Sequence, residues 1–494
     1  FGSTDLALIG TAAIATHHNA VVRDLVEVPG PDGPRLLVGC HVHLGLKTET
    51  TLDDVFAAYA FDGDTATYRE APLDVLADER FAEDFANLHR YYKQARFARF
   101  AERGPHLFMV FQVGQRADDI KVFKWPRGDD GLQYLDNRSE HTFVYPTQQA
   151  FRWQRTTRDM HRDGAHPHVS IEDRVFVEAV GGDLTVKVED NTDSGLGVYA
   201  EPVDHADQTL DDAEVHYATA GPLILMRIRP YQEETTRQLL FNEKTQAVHR
   251  LDALAHATVA LPEDHGIVYP DGFALAAGGV KRFDGVPAAT RFERQIAAPN
   301  GEDFLFVFHD VQTGEYVLLS YNLITQEVAT PVRCGGYALR PDGELVYVRP
   351  EPEPSKHHTL QRWRSPYRSR NGAPLAGEAP RQQDAYLFKV GNKDIVRALS
   401  EGYAILNLLG RDDGYVGLYA ALVKETTGLL DATFWLDHEE AGNVAEGLRG
   451  IRETAQRALA EFDKVRRLRQ TARERTQAAA AETQALLQTV ERRT

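Results

Sequence analysis

Short apolar runs broken by Gly, Asp, Asn and Pro set the pattern of residues 1–440. Leu36 to Leu44 is rich in β-formers, and Val55 to Phe61 is a second run ending at the Asp62-Gly63 turn signal. Leu107 to Phe111, Ile120 to Trp125, Leu223 to Ile228, Phe304 to Phe308, Tyr316 to Tyr321 and Leu345 to Val348 continue the series. Ala385 to Val390, Tyr403 to Leu409 and Tyr415 to Ala421 read the same way. Val175 to Glu178 and Leu184 to Val188 flank Gly181-Gly182-Asp183, a hairpin signal. Gly128-Asp129-Asp130-Gly131 marks another turn.

Two departures interrupt the strands. Phe81, Phe85, Leu88, Tyr92 and Phe100 recur at helical spacing among charges, which predicts an amphipathic helical insertion over 71–103. Residues 351–381 are rich in Pro, Arg, Ser and Gly and read as an exposed loop. From Glu440 the period changes for good. Val444, Leu448, Ile451, Ala455, Ala458, Phe462 and Val465 alternate in steps of 4 and 3, the seam of a coiled coil. This predicts a helical arm over 441–494, the start of a longer helical region.

An internal repeat sharpens the fold class. Phe241-Asn242-Glu243-Lys244-Thr245-Gln246-Ala247-Val248 returns as Tyr321-Asn322-Leu323-Ile324-Thr325-Gln326-Glu327-Val328. Each copy is followed by a Pro-Asp-Gly turn, at Pro270 and at Pro341. Recurring strand–turn–strand units predict a mainly β chain, a β-propeller of about six or seven blades spanning 1–440. A pair of stacked β-domains is the alternative.

Composition narrows the function. The 494 residues are 43% hydrophobic and 26% charged, an ordinary globular balance. The net charge of −18 repels nucleic acid and anionic membranes alike. No run approaches the about 20 apolar residues of a membrane-spanning helix. Two cysteines, Cys40 and Cys334, exclude a disulfide framework and fit the cytoplasm.

Candidate chemistry is sparse. Gly39 and Gly45-Leu46-Lys47-Thr48 fall short of a phosphate loop, because five residues separate the glycines and Leu46 precedes the lysine. Phe434 to Glu440 has the outline of a magnesium-binding strand but lacks that loop as a partner. His161, His166 and His168 form the densest set of metal-competent side chains, against a solvated-loop reading of the same stretch. His41 and His43 alternate on one strand and share a face. Lys464, Arg466, Arg467, Arg469, Arg473 and Arg475 make a basic stripe suited to nucleic acid or an acidic partner, or to a solvated helix face. No Gly-x-Ser-x-Gly nucleophile elbow occurs.

Phe1-Gly2-Ser3-Thr4, Leu8-Ile9-Gly10-Thr11, His18-Asn19, Arg23-Asp24 and Gly45 to Phe56 resemble the start of very large bacterial AAA-type ATPases labelled DNA repair ATPases. That resemblance implies a non-catalytic N-terminal scaffold that assembles or recruits protein partners. It implies ATP and magnesium only in a downstream part, with no cofactor in this region. It also implies a homo-oligomer formed through the ATPase part or the coiled coil. A metal- or ligand-binding propeller and a DNA-contacting arm are the rival expectations.

Overall fold

A computed structural model describes residues 6–42, 49–128, 131–287, 290–368, 385–411 and 416–491. The chain divides into two compact units, Phe1–Glu378 and Ala379–Thr494.

The first unit is mainly β. Its described strands form six antiparallel sheets, most of them meanders in which each strand pairs with the next in sequence. Five cover 96–132, 161–202, 214–250 with 154–155, 259–282 and 291–334. The sixth joins the two ends of the unit. Its strand Ala7–Val28 is 22 residues long and does two jobs. Residues Ala7 to Ala20 pair with Ser355–Arg364, and Ala20 to Val28 pair with Arg35–Val42. Two four-stranded meanders therefore share one strand, one from the start of the unit and one from its end.

The repeat in the sequence is a hairpin turn. Asn242 Oδ1 accepts from Lys244 N at 2.9 Å, and Asn322 Oδ1 accepts from Ile324 N at 3.0 Å and Thr325 N at 2.9 Å. Gln246 and Gln326 then take the left-handed conformation, at φ 55° and 56°. The same turn occurs twice more without the sequence likeness. Asp62 accepts from Asp64 N and Thr65 N before left-handed Ala66, and Asp310 accepts from Gln312 N before left-handed Gly314. A short carboxylate or amide that caps its own turn is the common device. The Pro-Asp-Gly turns are not equivalent: Pro270 lies between the second and third strands of its sheet, whereas Pro341 joins Gly336–Leu339 to Glu344–Val348.

Several expectations change. Within 71–103 the helix is Glu79–Tyr91, and Phe100 lies instead on the strand Arg96–Arg103. Phe81, Phe85 and Leu88 of that helix are buried, and Asp78 caps it by accepting from Arg80 N and Phe81 N. The expected loop 351–381 contains the strand Ser355–Arg364, which the polar run Lys356-His357-His358-Thr359 conceals from a hydrophobicity reading. Residues 369–381 of it lie outside the described residues.

The boundary expected at 440 falls near 378 because the last apolar runs are helical. Tyr403 to Leu409 belongs to the helix Asn392–Leu409, and most of Tyr415 to Ala421 to Val416–Ala432. A short apolar run fits a buried strand or a helix equally well. The second unit has its own core, where Ile405, Leu418, Leu422, Leu429, Trp435 and Leu448 come together. Helix Val444–Glu491 runs 48 residues, about 70 Å. Its seam splits in two: Leu448 and Ala455 are buried in that core, whereas Phe462 and Val465 are about 40% exposed.

Candidate functional site

A cluster of buried charged and polar side chains lies where three strands of the first unit bulge. Strand Ala7–Val28 gains an extra residue at Arg23, Arg96–Arg103 at Ala98 and Arg291–Ala297 at Glu293. A bulge re-aims the side chains around it. The residue after each bulge is polar: Asp24, Arg99 and Arg294. Two of the three strands carry the same local sequence, Arg96-Phe97-Ala98-Arg99 and Arg291-Phe292-Glu293-Arg294.

Asp24 is buried and ties three sheets together. Its Oδ2 accepts from Phe100 N and from the Tyr316 hydroxyl, both at 2.8 Å, and its Oδ1 accepts from Leu25 N at 2.8 Å. Burial pushes its carboxyl up to about 7, against the pull of those donors. Arg99, 1% exposed, pairs with Glu293, and its guanidinium lies 4.6 Å from the centre of the Tyr145 ring. Burial alone lowers Arg99, but the Glu293 carboxylate together with Tyr145, Tyr316 and Asp24 outweighs it and holds the charge. Arg103 Nη1 approaches the same carboxylate at 3.8 Å.

A second pair of arginines holds Glu102. Arg294 reaches it at 3.1 Å and Arg127 binds its other oxygen. These two charges hold Glu102 below the usual carboxylate range despite burial. Arg294 also donates twice to the Tyr337 hydroxyl, at 2.8 and 2.6 Å. His309 packs against Tyr316 with the ring centres 4.6 Å apart and the planes tilted, and burial drives it well below the ordinary histidine range. Neither of its ring nitrogens has a partner among the described residues. A cavity of about 400 Å³ opens on this cluster, lined by Asp24, Glu102, Arg127, Glu293, Arg294 and Tyr337 among others.

None of these residues was a sequence candidate. They come from positions 24 to 337, and only the recurring Arg-Phe-x-Arg hints at them.

The sequence candidates land elsewhere. His161 faces Asp211 at 3.4 Å, His166 binds Glu178 at 2.9 Å and His168 binds Asp190 at 2.9 Å. Each imidazole thus has its own carboxylate, and no group of three or more metal-competent side chains occurs among the described residues. The physical reason is strand geometry: His161 and His168 sit on paired strands, but His168 is fully buried while His166 belongs to the loop before it. Lys464, Arg466, Arg467, Arg469, Arg473 and Arg475 are all exposed along the last helix. Gly39 lies in the strand Arg35–Val42, and residues 43–48, with His43 and the Gly45 to Thr48 segment, lie outside the described residues, as do Phe1 to Thr4. Asp437 pairs with Arg449 at 2.7 Å, and Glu440 accepts from Tyr386 N and Leu387 N, capping the helix Tyr386–Val390.

Comparisons with known proteins follow the same division. No curated protein matches the chain. Among solved structures, a GH43_1 enzyme from Xanthomonas citri is 10% identical, covering 72% of this chain and 90% of that one at a TM-score of 0.24. The AfRom2 CNH domain is 12% identical over 71% of this chain and 98% of that one, also at 0.24. Likenesses this faint carry no argument about chemistry. The sequence match is decisive where the structural ones are not: across residues 1–434 this chain belongs to the family DUF3686, described as "ATPase involved in DNA repair".

Proposed function

We propose that the first unit is a seven-bladed β-propeller serving as a non-catalytic scaffold of an AAA-type ATPase. On this reading it recruits a protein partner or substrate, and the helical unit carries the connection onward. The observation behind it is the shared strand Ala7–Val28. It completes a four-stranded meander with the last strands of the unit and opens another with Arg35–Val42. Pairing the first strand with the last ties the two ends of the unit together, which is how a ring of radial sheets closes. Seven such meanders account for the six sheets.

The scaffold role is supported by the chemistry. The chain contains no Gly-x-x-x-x-Gly-Lys-Ser/Thr run, so ATP and magnesium are assigned to another part of the ATPase. The two free, buried cysteines fit a cytoplasmic setting. No described helix is long and apolar enough to cross a membrane. Calorimetry of residues 1–494 with Mg-ATP tests the reading: the expected result is no binding heat, and micromolar binding would overturn it.

A second reading has one specific observation in its favour. The stripe from Lys464 to Arg475 is solvent-exposed, and only Lys464 and Arg466 have acidic neighbours within ion-pair distance among the described residues. Such a stripe suits DNA phosphates. Binding to duplex DNA that weakens with salt and vanishes on charge reversal of Arg467, Arg469 and Arg473 is its test.

A further inference from the structure

We propose that the exposed arm of helix Val444–Glu491 receives an acidic amphipathic helix of a partner protein, along a row from Phe462 to Ala472. The row continues the face by which this helix packs in its own unit. Leu448 and Ala455 are buried there, and Ala458 and Leu459 are half-buried. The same face then leaves the core. Phe462 and Val465 are 38% and 44% exposed, and Leu468 is 63% exposed. Phe462, Val465, Leu468 and Ala472 lie three or four positions apart, so on a helix of about 3.6 residues per turn they form one continuous apolar row.

Cations line both sides of that row. Arg466, Arg469 and Arg473 follow one edge at spacings of 3 and 4, and Lys464 and Arg475 stand on the other. Asp463 takes up Arg466 at 3.4 Å and Glu461 takes up Lys464 at 3.7 Å. Arg469, Arg473 and Arg475 have no acidic neighbour within ion-pair distance among the described residues. A face that is apolar along its middle and charged along its flanks is the layout of a helix–helix contact, in which the flanking charges choose the partner. Basic flanks select Glu and Asp on the incoming helix.

Two other occupants fit less well. Lys464 to Arg475 holds six basic residues and Glu474 as its one acid, so two copies of this arm meeting over the segment set like charges face to face. DNA phosphates would satisfy the cations but leave the apolar row in water. The inference rests on the reading of this chain as a recruiter of proteins and names the chemistry of one partner. The two fail separately, since the scaffold reading is overturned by Mg-ATP binding and this one by the behaviour of a peptide.

The test is fluorescence anisotropy of a labelled synthetic helix titrated with the full 494-residue chain. The probe has about four heptads, with Leu at a and d and Glu at e and g. The expected Kd is about 10 μM or tighter. Phe462→Ala weakens the binding by about tenfold, the scale of an aromatic side chain that loses part of its burial. Arg466→Glu, Arg469→Glu and Arg473→Glu together abolish it. Companion peptides with Lys for Glu, or Ser for Leu, do not bind. Phe462 also meets Tyr419, with ring centres 5.8 Å apart, so each variant is first checked by circular dichroism. Should Phe462→Ala unsettle the unit, Val465→Ser replaces it and must weaken the binding too. No binding at about 100 μM, equal binding of either companion, or an affinity unchanged in the folded Phe462→Ala variant overturns the proposal. So does duplex DNA that binds through the same arginines while the acidic peptide stays free.

Discussion

Two ion pairs in this chain have the same chemistry and opposite surroundings. Arg99 and Glu293 are 1% and 4% exposed and join strands 194 residues apart in sequence. Arg466 and Asp463 are 83% and 54% exposed, three residues apart on one helix. The first pair lies in low dielectric, where an unmatched charge is expensive. The second is screened by water and salt, and its partners are adjacent whether or not the chain is folded. Charge therefore organises the β unit through long-range pairing. On the exposed arm it leaves the fold alone and is available to a ligand.

The sharpest way to break this contrast is to remove one buried partner. Glu293→Gln strands the Arg99 guanidinium and is expected to cost about 3–5 kcal/mol in chemical denaturation. Exchanging both partners for apolar residues of similar size, Arg99→Met with Glu293→Leu, should recover most of that loss. A cost below about 1 kcal/mol for the single variant would place the cluster with the surface pairs.

Next in size is a pH effect with two opposed parts. Asp24 titrates near 7 when folded and about 3.9 when unfolded, so its proton favours the folded state. Its contribution is full below about pH 4 and fades as pH rises to about 7, on the order of 4 kcal/mol in all. His309 is depressed when folded, so it takes up a proton on unfolding. Its contribution is present above about pH 6.5 and is lost as pH falls toward its folded value. The two slopes oppose each other across mildly acidic pH. Asp24→Asn leaves stability rising with pH, and His309→Phe leaves it falling. Parallel curves for the two variants would show that neither group titrates as its burial requires.

A steric test is smaller. A Cβ on Gly39 would stand 2.0 Å from Phe97 Cε1, the residue just before the second bulge. Gly39→Ala is expected to cost about 1–3 kcal/mol, and Phe97→Leu should relieve part of it in the double variant. An unchanged midpoint for Gly39→Ala would mean that Phe97 is free to move.

The sequence revealed local order far better than distant encounter. The Asn242 and Asn322 turns were legible because the residue that caps the turn also belongs to it. Helix Glu79–Tyr91 was legible because its buried face is a four-residue rhythm. The run Tyr403 to Leu409 was not, because Leu406 and Leu409 are exposed on a helix that keeps Ile405 inside. An uninterrupted apolar run hides that periodicity. The cluster was least legible of all. Asp24, Arg99 and Glu293 stand in strands whose apolar neighbours predict only burial, and a polar residue at a bulge breaks the alternation that would have placed it. The strand Ser355–Arg364 was missed for a related reason: His358 is fully buried, yet its bonds to Thr16 and Glu351 let a polar sequence run through a sheet.

The smallest expected effect completes the contrast. Arg466→Met removes the exposed partner of Asp463, and the folding midpoint should move by no more than about 0.5 kcal/mol. The i,i+3 contact is already local in the unfolded chain, and both groups keep their water in the folded one. Raising salt should not enlarge so small a difference, since the Debye length at about 0.15 M is already near 8 Å. Charge removal across Lys464 to Arg475 should likewise spare stability while abolishing any binding that depends on the stripe. A large loss of stability from Arg466→Met would mean that this part of the helix is covered by another helix in solution. The exposed Phe462 and Val465 would then be part of a packed seam, and the basic stripe its flank.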